Sequence, residues 1–186
     1  MATDSGPTLR VSDSATLRPL EPGDADGLYA LIEADRTRLA RWMPWAQAQT
    51  RAGTLEFIRS ARGQPERDGG FQLALVVDRS LAGVFGVHKV DLENRTTSIG
   101  YWLAATHEGA GLATLAARAL VGHAFDAMGM HRVEIRAAPD NVRSRAIPER
   151  LGFSEEGVLR DAERFGDEYR DNVLYAMLAP DWAGRS

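Results

Sequence analysis

Two glycines stand directly before a long apolar helical pattern in the middle of the chain. The segment reads HEGAGLATLAARAL, with Gly109 and Gly111 at its opening. Apolar residues recur at helical spacing from Gly111 to about Met128, and Gly129 provides a stop. Strand-like patterns lie on both sides of this helix. The sequence therefore predicts a strand–helix–strand unit, which implies a parallel strand pair.

The remaining patterns predict how the sheet continues. The last three strands before the glycines follow one another without a helix, which implies antiparallel pairing. Helical patterns cover residues 21–43 and 54–62, and a further short helix is predicted from a cap at Asn141 to a stop at Gly152. The predicted strands are 15–20, two within 69–91, 95–104, 131–138, and a hairpin over 153–179. These elements predict an α/β fold with a mixed, mostly antiparallel sheet, a central parallel pair and flanking helices.

Composition removes several classes of function. The chain has 186 residues, of which 44% are hydrophobic, enough for one domain with a sizeable core. A formal net charge of −4 gives no basic field for nucleic acid, and no apolar run indicates a signal peptide or membrane span. Cysteine is absent, and the 4 histidines are too scattered for a metal site. We therefore expect a cytoplasmic protein that binds no metal, nucleic acid or membrane and uses no cysteine nucleophile.

The glycine loop is typical of a phosphate site, because free N–H groups and the helix dipole point at an anion there. A dinucleotide site is disfavoured, since Thr114 replaces the third glycine of that motif and several strands precede the loop. Glu134, near the spacing of the expected acidic residue, lies inside a predicted strand. A nucleoside triphosphate loop is disfavoured because no Gly-Lys-Ser/Thr sequence exists. Coenzyme A and a helix start without a ligand remain as interpretations.

Four segments carry a resemblance to a known family. IGYWLAATHEGAGLAT resembles the strand, loop and helix of the GNAT superfamily of acyl-CoA N-acyltransferases, with Glu108, Gly111 and Ala113 at the marked places of the loop. NVRSRAIPERLGF resembles the family's next segment. EGVLRDAERFGDEYRDNVLYAML and RLARWMPW are similar to segments of the RimJ/RimL type, the ribosomal-protein N-terminal acetyltransferases. The resemblance implies a GNAT N-acetyltransferase domain over residues 9–182. Residues 1–8 are polar and include Gly6 and Pro7, which predicts a disordered N-terminus.

The resemblance also implies a donor, acetyl-CoA, and a direct attack by a primary amine in a ternary complex. The backbone of Trp102, Leu103 and Ala104 would hold the pantetheine where the strand splays, with the Leu103 N–H as oxyanion donor. Ser144 would protonate the leaving thiolate, and Glu163 would deprotonate the amine through water. The other implied cofactor contacts are Glu108, Gly109, Ala110, Gly111, Leu112, Ala113, Thr114 and Asn141.

Three residues depart from the family pattern. Glu108 and Ala110 stand where basic or amide residues are frequent, which predicts weaker coenzyme A binding. Pro148 replaces a frequent catalytic tyrosine. Because proline has no N–H and clashes with the carbonyl four residues back, we expect a kinked helix and a free Ser144 carbonyl beside the thiol site.

The expected acceptor is the α-amine of a protein or peptide N-terminus, in a cleft walled by Trp42 or Trp45. An α-amine has a pKa near 8 and is neutral in about one part in ten at pH 7, against about one part in 2,500 for a lysine amine. A single carboxylate can therefore deprotonate an α-amine more easily than a lysine amine. A small-molecule amine acetyltransferase and a catalytically inactive coenzyme A sensor are the alternatives. Relatives of this type often pair, so a homodimer is considered as well.

Several of these side chains have simpler interpretations. Core packing under a helix turn is the alternative for the tryptophans, and a solvated helix residue is the alternative for Ser144. Glu163 lies in a hairpin that also contains Glu155, Glu156, Asp161 and Asp167, so the resemblance alone singles it out. Arg36, Arg38 and Arg41 are predicted to form a solvated face of the first helical region.

Overall fold

Eight strands form one mixed sheet within residues 6–183, the part of the chain that the computed structural model describes. Their order is β1-β2-β3-β4-β5-β6-β8-β7. Only β5 and β6 are parallel among these strands, so the predicted fold class is confirmed. The strands are β1 (Leu9–Arg10), β2 (Ala15–Pro19), β3 (Phe71–Val77), β4 (Ser80–Asp91), β5 (Thr96–Leu103), β6 (Arg132–Ala137), β7 (Ser154–Phe165) and β8 (Glu168–Leu178).

The helices cover both faces of the sheet. They are α1 (Ala25–Ala34), α2 (Arg36–Ala40), α3 (Trp45–Ala48), α4 (Arg51–Arg62), α5 (Gln64–Asp68), α6 (Leu112–Asp126), α7 (Val142–Leu151) and α8 (Ala179–Ala183). Short 3₁₀ turns precede α1 and α6, at Pro22–Asp24 and Ala105–His107. Among the described residues, none of these helices has the length and apolar character needed to cross a membrane.

The first helical region departs from the expected single helix of residues 21–43. It breaks at Asp35, whose φ of −111° and ψ of 10° lie outside the helical range. The Asp35 carboxylate accepts from the Ala105 N–H at 2.6 Å and from Arg38 at 2.7 Å. The helix thus changes direction where Asp35 contacts the loop after β5. The helical periodicity of the sequence cannot predict a contact with a distant segment.

The N-terminal expectation remains open. Residues 1–5 lie outside the described residues, so the prediction of a disordered N-terminus stays a prediction. Residues 6–8 have no regular secondary structure, and Gly6 lies next to the side chains of Phe71 and Leu73.

Two separate cores lie on the two faces of the sheet. Residues of α6, α7 and α8 pack on one face, against side chains such as Leu73 and Phe85. Residues of α1, α2, α3 and α4 pack on the other face, against Ala74, Val84 and Trp102. Because strand side chains alternate between faces, Tyr101 and Leu103 belong to the α6–α7 face, whereas Trp102 belongs to the α1–α4 face.

The parallel pair at the centre of the sheet is short. Its register runs from Thr96 opposite Arg132 to Ile99 opposite Ile135 and then stops. Both strands continue beyond this point, β5 to Leu103 and β6 to Ala137. The strands therefore separate at their carboxyl ends, as the family resemblance implied. We call the space between residues 100–103 and 136–137 the β5–β6 gap.

Candidate active site

The end of β5 presents backbone groups to the β5–β6 gap. The Ala104 N–H donates to the Ala82 carbonyl of β4 at 2.8 Å. Because successive amides of a strand point in opposite directions, the Leu103 N–H points away from β4, into the gap. The amide of Trp102 follows the same alternation and faces β4. Leu103 can therefore bind pantetheine through its backbone, as expected. The amides of Trp102 and Ala104 face β4 instead, so the same role does not suit them.

The loop before α6 is open and ends in free amides. Gly109 and Gly111 have φ values of 84° and 74°, and no atom lies within 4 Å of where a Cβ would stand on either. The first hydrogen bond of α6 runs from the Leu115 N–H to the Gly111 carbonyl at 3.1 Å, and no side chain caps the helix. The N–H groups of residues 112–114 therefore lack helical acceptors and point out of the helix end. This geometry suits an anion.

The first turn of α7 lies on the other side of the gap. Asn141 caps this helix as predicted, because its Oδ1 accepts from the Ser144 N–H at 3.2 Å. α7 continues through Pro148 as one helix. The Ser144 carbonyl, which cannot bond to a proline N–H, accepts from the Tyr101 hydroxyl at 3.3 Å. The Ser144 carbonyl is therefore released from the helix as expected, but it is not free, because Tyr101 donates to it.

Tyr101 is a site residue that the sequence reasoning missed. Its ring stacks on Phe85 with centroids 5.4 Å apart. Burial raises the pKa of Tyr101, so its hydroxyl remains a neutral donor. Its spacing in the sequence could have identified it, because Tyr101 stands two residues before Leu103 and the two side chains therefore share a face of β5.

An ion-pair network surrounds Glu108. Arg38 donates to Glu108 Oε1 at 2.7 Å, to Asp35 at 2.7 Å and to the Leu103 carbonyl at 2.8 Å. Arg143 pairs with the other oxygen of Glu108. Two guanidinium groups thus balance the charge that was expected to stand unopposed beside the phosphate site. The repulsion expected between Glu108 and a diphosphate is therefore reduced.

The predicted solvated face of arginines is wrong for two of its three members. Arg38 belongs to the network around Glu108. Arg36 donates to the backbone carbonyls of Ala46 and Gln47 in α3 and of Gln49 just after it, at 2.6, 3.0 and 2.9 Å, because the chain folds back over its guanidinium there. Arg41 fits the expectation, since its side chain is 67% exposed and its ion pair with Asp140 is long, at 3.7 Å.

A cavity of about 320 Å³ lies on the α1–α4 face beside the end of β5. Trp45 and Trp102 form two of its walls, with ring centroids 6.3 Å apart and ring planes at 56°. Trp45 is 40% exposed, which leaves its ring accessible. Trp42 does not contribute to this cavity and packs under the Arg41 guanidinium at 4.7 Å. The remaining lining residues are Leu28, Ile32, Gln49, Gly53 and Phe57.

The β7–β8 hairpin approaches the same region from the other side. Glu163 is half-buried and accepts from the side-chain amide of Asn172 at 3.3 Å. Arg170, which is opposite Glu163 in the register, donates to the Arg41 carbonyl at 3.0 Å. The hairpin therefore contacts the connection between α2 and α3 beside Trp42. We call the space between this connection and the hairpin the acceptor cleft.

Other acidic residues of the hairpin have partners outside the cleft. Glu155 accepts from Arg145 at 3.2 Å, and Glu156 pairs with Arg132 at 2.5 Å. The Arg132 guanidinium lowers the pKa of Glu156. Glu163 differs from both because a neutral amide is its hydrogen-bond donor. The position and the hydrogen-bond partner of Glu163 thus distinguish it from the other acidic residues of the hairpin, which look equivalent in the sequence.

Comparisons with known proteins agree with this architecture. Residues 15–154 match the family "Acetyltransferase (GNAT) domain". The "Putative ribosomal N-acetyltransferase YdaF" of Bacillus subtilis is 39% identical over 179 residues, which cover 95% of this chain and 98% of the relative. The ribosomal-protein-serine acetyltransferase of Escherichia coli is 30% identical over 172 residues, with 92% and 96% covered. The crystal structure of the microcin C7 self-immunity acetyltransferase MccE with acetyl-CoA and AMP is 29% identical, covers 95% of this chain and 98% of its own, and has a TM-score of 0.86.

The chain belongs to the GNAT family of acetyltransferases. It is an acetyl-CoA-dependent N-acetyltransferase with RimJ/RimL-like relatives, as the resemblance implied.

Proposed function

We propose that the protein transfers the acetyl group of acetyl-CoA to the α-amine at a protein N-terminus, by direct attack in a ternary complex. One observation carries this proposal: two openings meet at the end of β5. The β5–β6 gap receives the Leu103 N–H on one side, and the cavity lined by Trp45 and Trp102 lies on the other. The names of two relatives, the putative ribosomal N-acetyltransferase of Bacillus subtilis and the ribosomal-protein-serine acetyltransferase of Escherichia coli, support a protein acceptor.

The gap suits the donor. The amides of residues 112–114 and the open glycine loop would hold the diphosphate, and the Asn141 side chain would bond the pantetheine arm. The Leu103 N–H would then donate to the thioester oxygen as it gains negative charge. Such a donor is worth about 3 kcal/mol in comparable acyl transfers. No metal is needed for this chemistry, and no metal-binding cluster of acidic and histidine side chains occurs in residues 6–183.

The leaving group requires a proton. The Ser144 hydroxyl lies on the first turn of α7, and its main-chain groups are held by Asn141 and Tyr101. In the proposed mechanism this hydroxyl passes a proton to the thiolate as the bond to carbon breaks and takes one back from solvent water. The tetrahedral intermediate collapses to the amide and free coenzyme A, and Glu163 accepts the proton that the amine loses through water.

Ser144→Ala tests the role of this hydroxyl. We expect turnover to fall by about 10-fold or more, with little change in acetyl-CoA affinity, because the proton is needed mainly as charge develops on sulfur. Thiol-release kinetics and calorimetry measure the two quantities separately. The main-chain contacts of Ser144 remain in the variant, so the fold should persist. Ser154→Ala, at an exposed serine of β7, is the matched control. Unchanged turnover in Ser144→Ala would leave this residue as a solvated helix residue.

The acceptor is tested with a panel of amines. Peptides with free N-termini should react faster than lysine side chains, polyamines or aminoglycosides, because more of an α-amine is neutral at pH 7. Trp45→Ala should raise the KM for the peptide about 10-fold, a loss typical of removing a buried aromatic contact, and leave acetyl-CoA binding unchanged. Trp42→Ala should have a smaller effect, since Trp42 lies outside the cavity.

Two results would contradict parts of this proposal. A preference for aminoglycosides or polyamines would contradict the proposed acceptor but not the acetyltransferase activity. Coenzyme A binding without thiol release with any amine would favour a sensor. A homodimer and a cytoplasmic location also remain proposals, and light scattering and fractionation would test them.

A further inference from the structure

The glycine loop lacks a cation for the diphosphate that it is proposed to bind. Its residues from Ala105 to Gly111 include no lysine or arginine, and Glu108 and Ala110 occupy the positions where a charge or amide would help. Backbone amides can bind an anion, but a guanidinium adds charge-assisted hydrogen bonds. A cation should therefore come from another element. This inference rests on the proposed donor site.

We propose that Arg143 supplies this cation and that Glu108 holds it in place until coenzyme A arrives. Glu108 follows β5, whereas Arg143 stands in the first turn of α7, which follows β6. Their ion pair therefore joins the two elements that flank the β5–β6 gap. The Glu108 carboxylate is an internal anion at the loop, and the diphosphate replaces it as the partner of Arg143.

The position of Arg143 on its helix supports an anionic partner. The N-terminal end of α7 carries the positive end of the helix dipole, so an arginine in the first turn is unfavourable without an anion nearby. Glu108 provides that anion in the free protein. A diphosphate at the loop would provide more negative charge at the same place.

The two arginines on Glu108 differ in how firmly they are held. Arg38 donates to Glu108, Asp35 and the Leu103 carbonyl, and its side chain is 32% exposed. Arg143 has Glu108 as its acidic partner, and its side chain is 82% exposed. Exposed ion pairs contribute little to stability, so Arg143 can exchange partners at small cost. Arg38 stays in place and keeps Glu108 neutralised while the phosphate binds.

Arg143→Met tests the proposal through binding rather than activity. We expect calorimetry to show coenzyme A and dephospho-coenzyme A binding weakened alike, by about 10-fold, since a charge-assisted contact to the diphosphate is lost from both. Binding of pantetheine, which has no diphosphate, should not change. The affinity for coenzyme A should also depend less on salt, because one screened attraction is gone. Glu108→Gln should strengthen coenzyme A binding by about 3-fold, since the diphosphate then no longer has to displace a carboxylate from Arg143.

Arg150→Met is the matched control, because it removes the same charge from the exposed last turn of α7. It should leave all three affinities unchanged. Full coenzyme A affinity in Arg143→Met would overturn the inference, and so would a loss confined to coenzyme A with dephospho-coenzyme A unaffected, which would assign Arg143 to the 3′-phosphate. Failure of the parent protein to bind coenzyme A would instead contradict the proposed function.

Discussion

Replacement of Gly111 by valine is expected to abolish acetyl-CoA binding while the fold persists. Gly111 has a φ of 74°, in the left-handed region, and stands directly before α6. A valine there is strained by about 1–2 kcal/mol, more because it is β-branched, which is within the stability of an ordinary domain. Its side chain would also project into the open space beside the free amides. We expect affinity to fall by about 100-fold or more, equivalent to about 2.7 kcal/mol.

Calorimetry and circular dichroism separate loss of the site from loss of the fold. Gly129→Val is the matched control, since Gly129 has a φ of 66° and lies beyond the opposite end of α6. It should carry a similar strain and keep normal coenzyme A affinity. In the parent protein, coenzyme A should raise the melting temperature, whereas NAD and ATP should not. Near-native affinity of a well-folded Gly111→Val protein would exclude the glycine loop as the phosphate site.

Replacement of Glu163 by glutamine is expected to slow the reaction by about 100-fold or more near pH 7, the effect of losing a general base. The amide keeps the size of the side chain and its place opposite Arg170 in the hairpin register. At pH 7 most of an α-amine is protonated and needs a base, but well above a pKa near 8 it is mostly neutral. The difference in rate between the parent and the variant should therefore shrink as the pH rises.

Glu168→Gln is the matched control for this prediction, because it makes the same change at an exposed position of the same hairpin. Its rate should match the parent across the pH range. Thiol release at saturating acetyl-CoA and peptide, followed from neutral to alkaline pH, gives the comparison. Full activity of Glu163→Gln at pH 7 would show that the base lies elsewhere. A loss that does not depend on pH would indicate a structural role.

Local patterns in the sequence predict the longer strands and helices and most of their order. Strand alternation, helical spacing, the cap at Asn141 and the stops at Gly129 and Gly152 are local rules, and each names residues that lie close together in the chain. The connection lengths then imply which neighbours are parallel, so the parallel β5–β6 pair was predicted. The four segments that resemble the family likewise each lie within one stretch of the chain, and together they indicated the family.

Contacts between side chains that are far apart in the sequence follow from the tertiary structure alone. Arg38 and Glu108 are 70 positions apart, and Tyr101 and Ser144 are 43 apart. Such contacts depend on helix breaks, strand register and the packing of separate elements, and no local pattern in one sequence records them. For that reason Glu108 looked unopposed, Arg38 looked solvated and Tyr101 was overlooked. The same packing placed Trp45 rather than Trp42 at the cavity, because that choice depends on how the α2–α3 connection turns above the sheet.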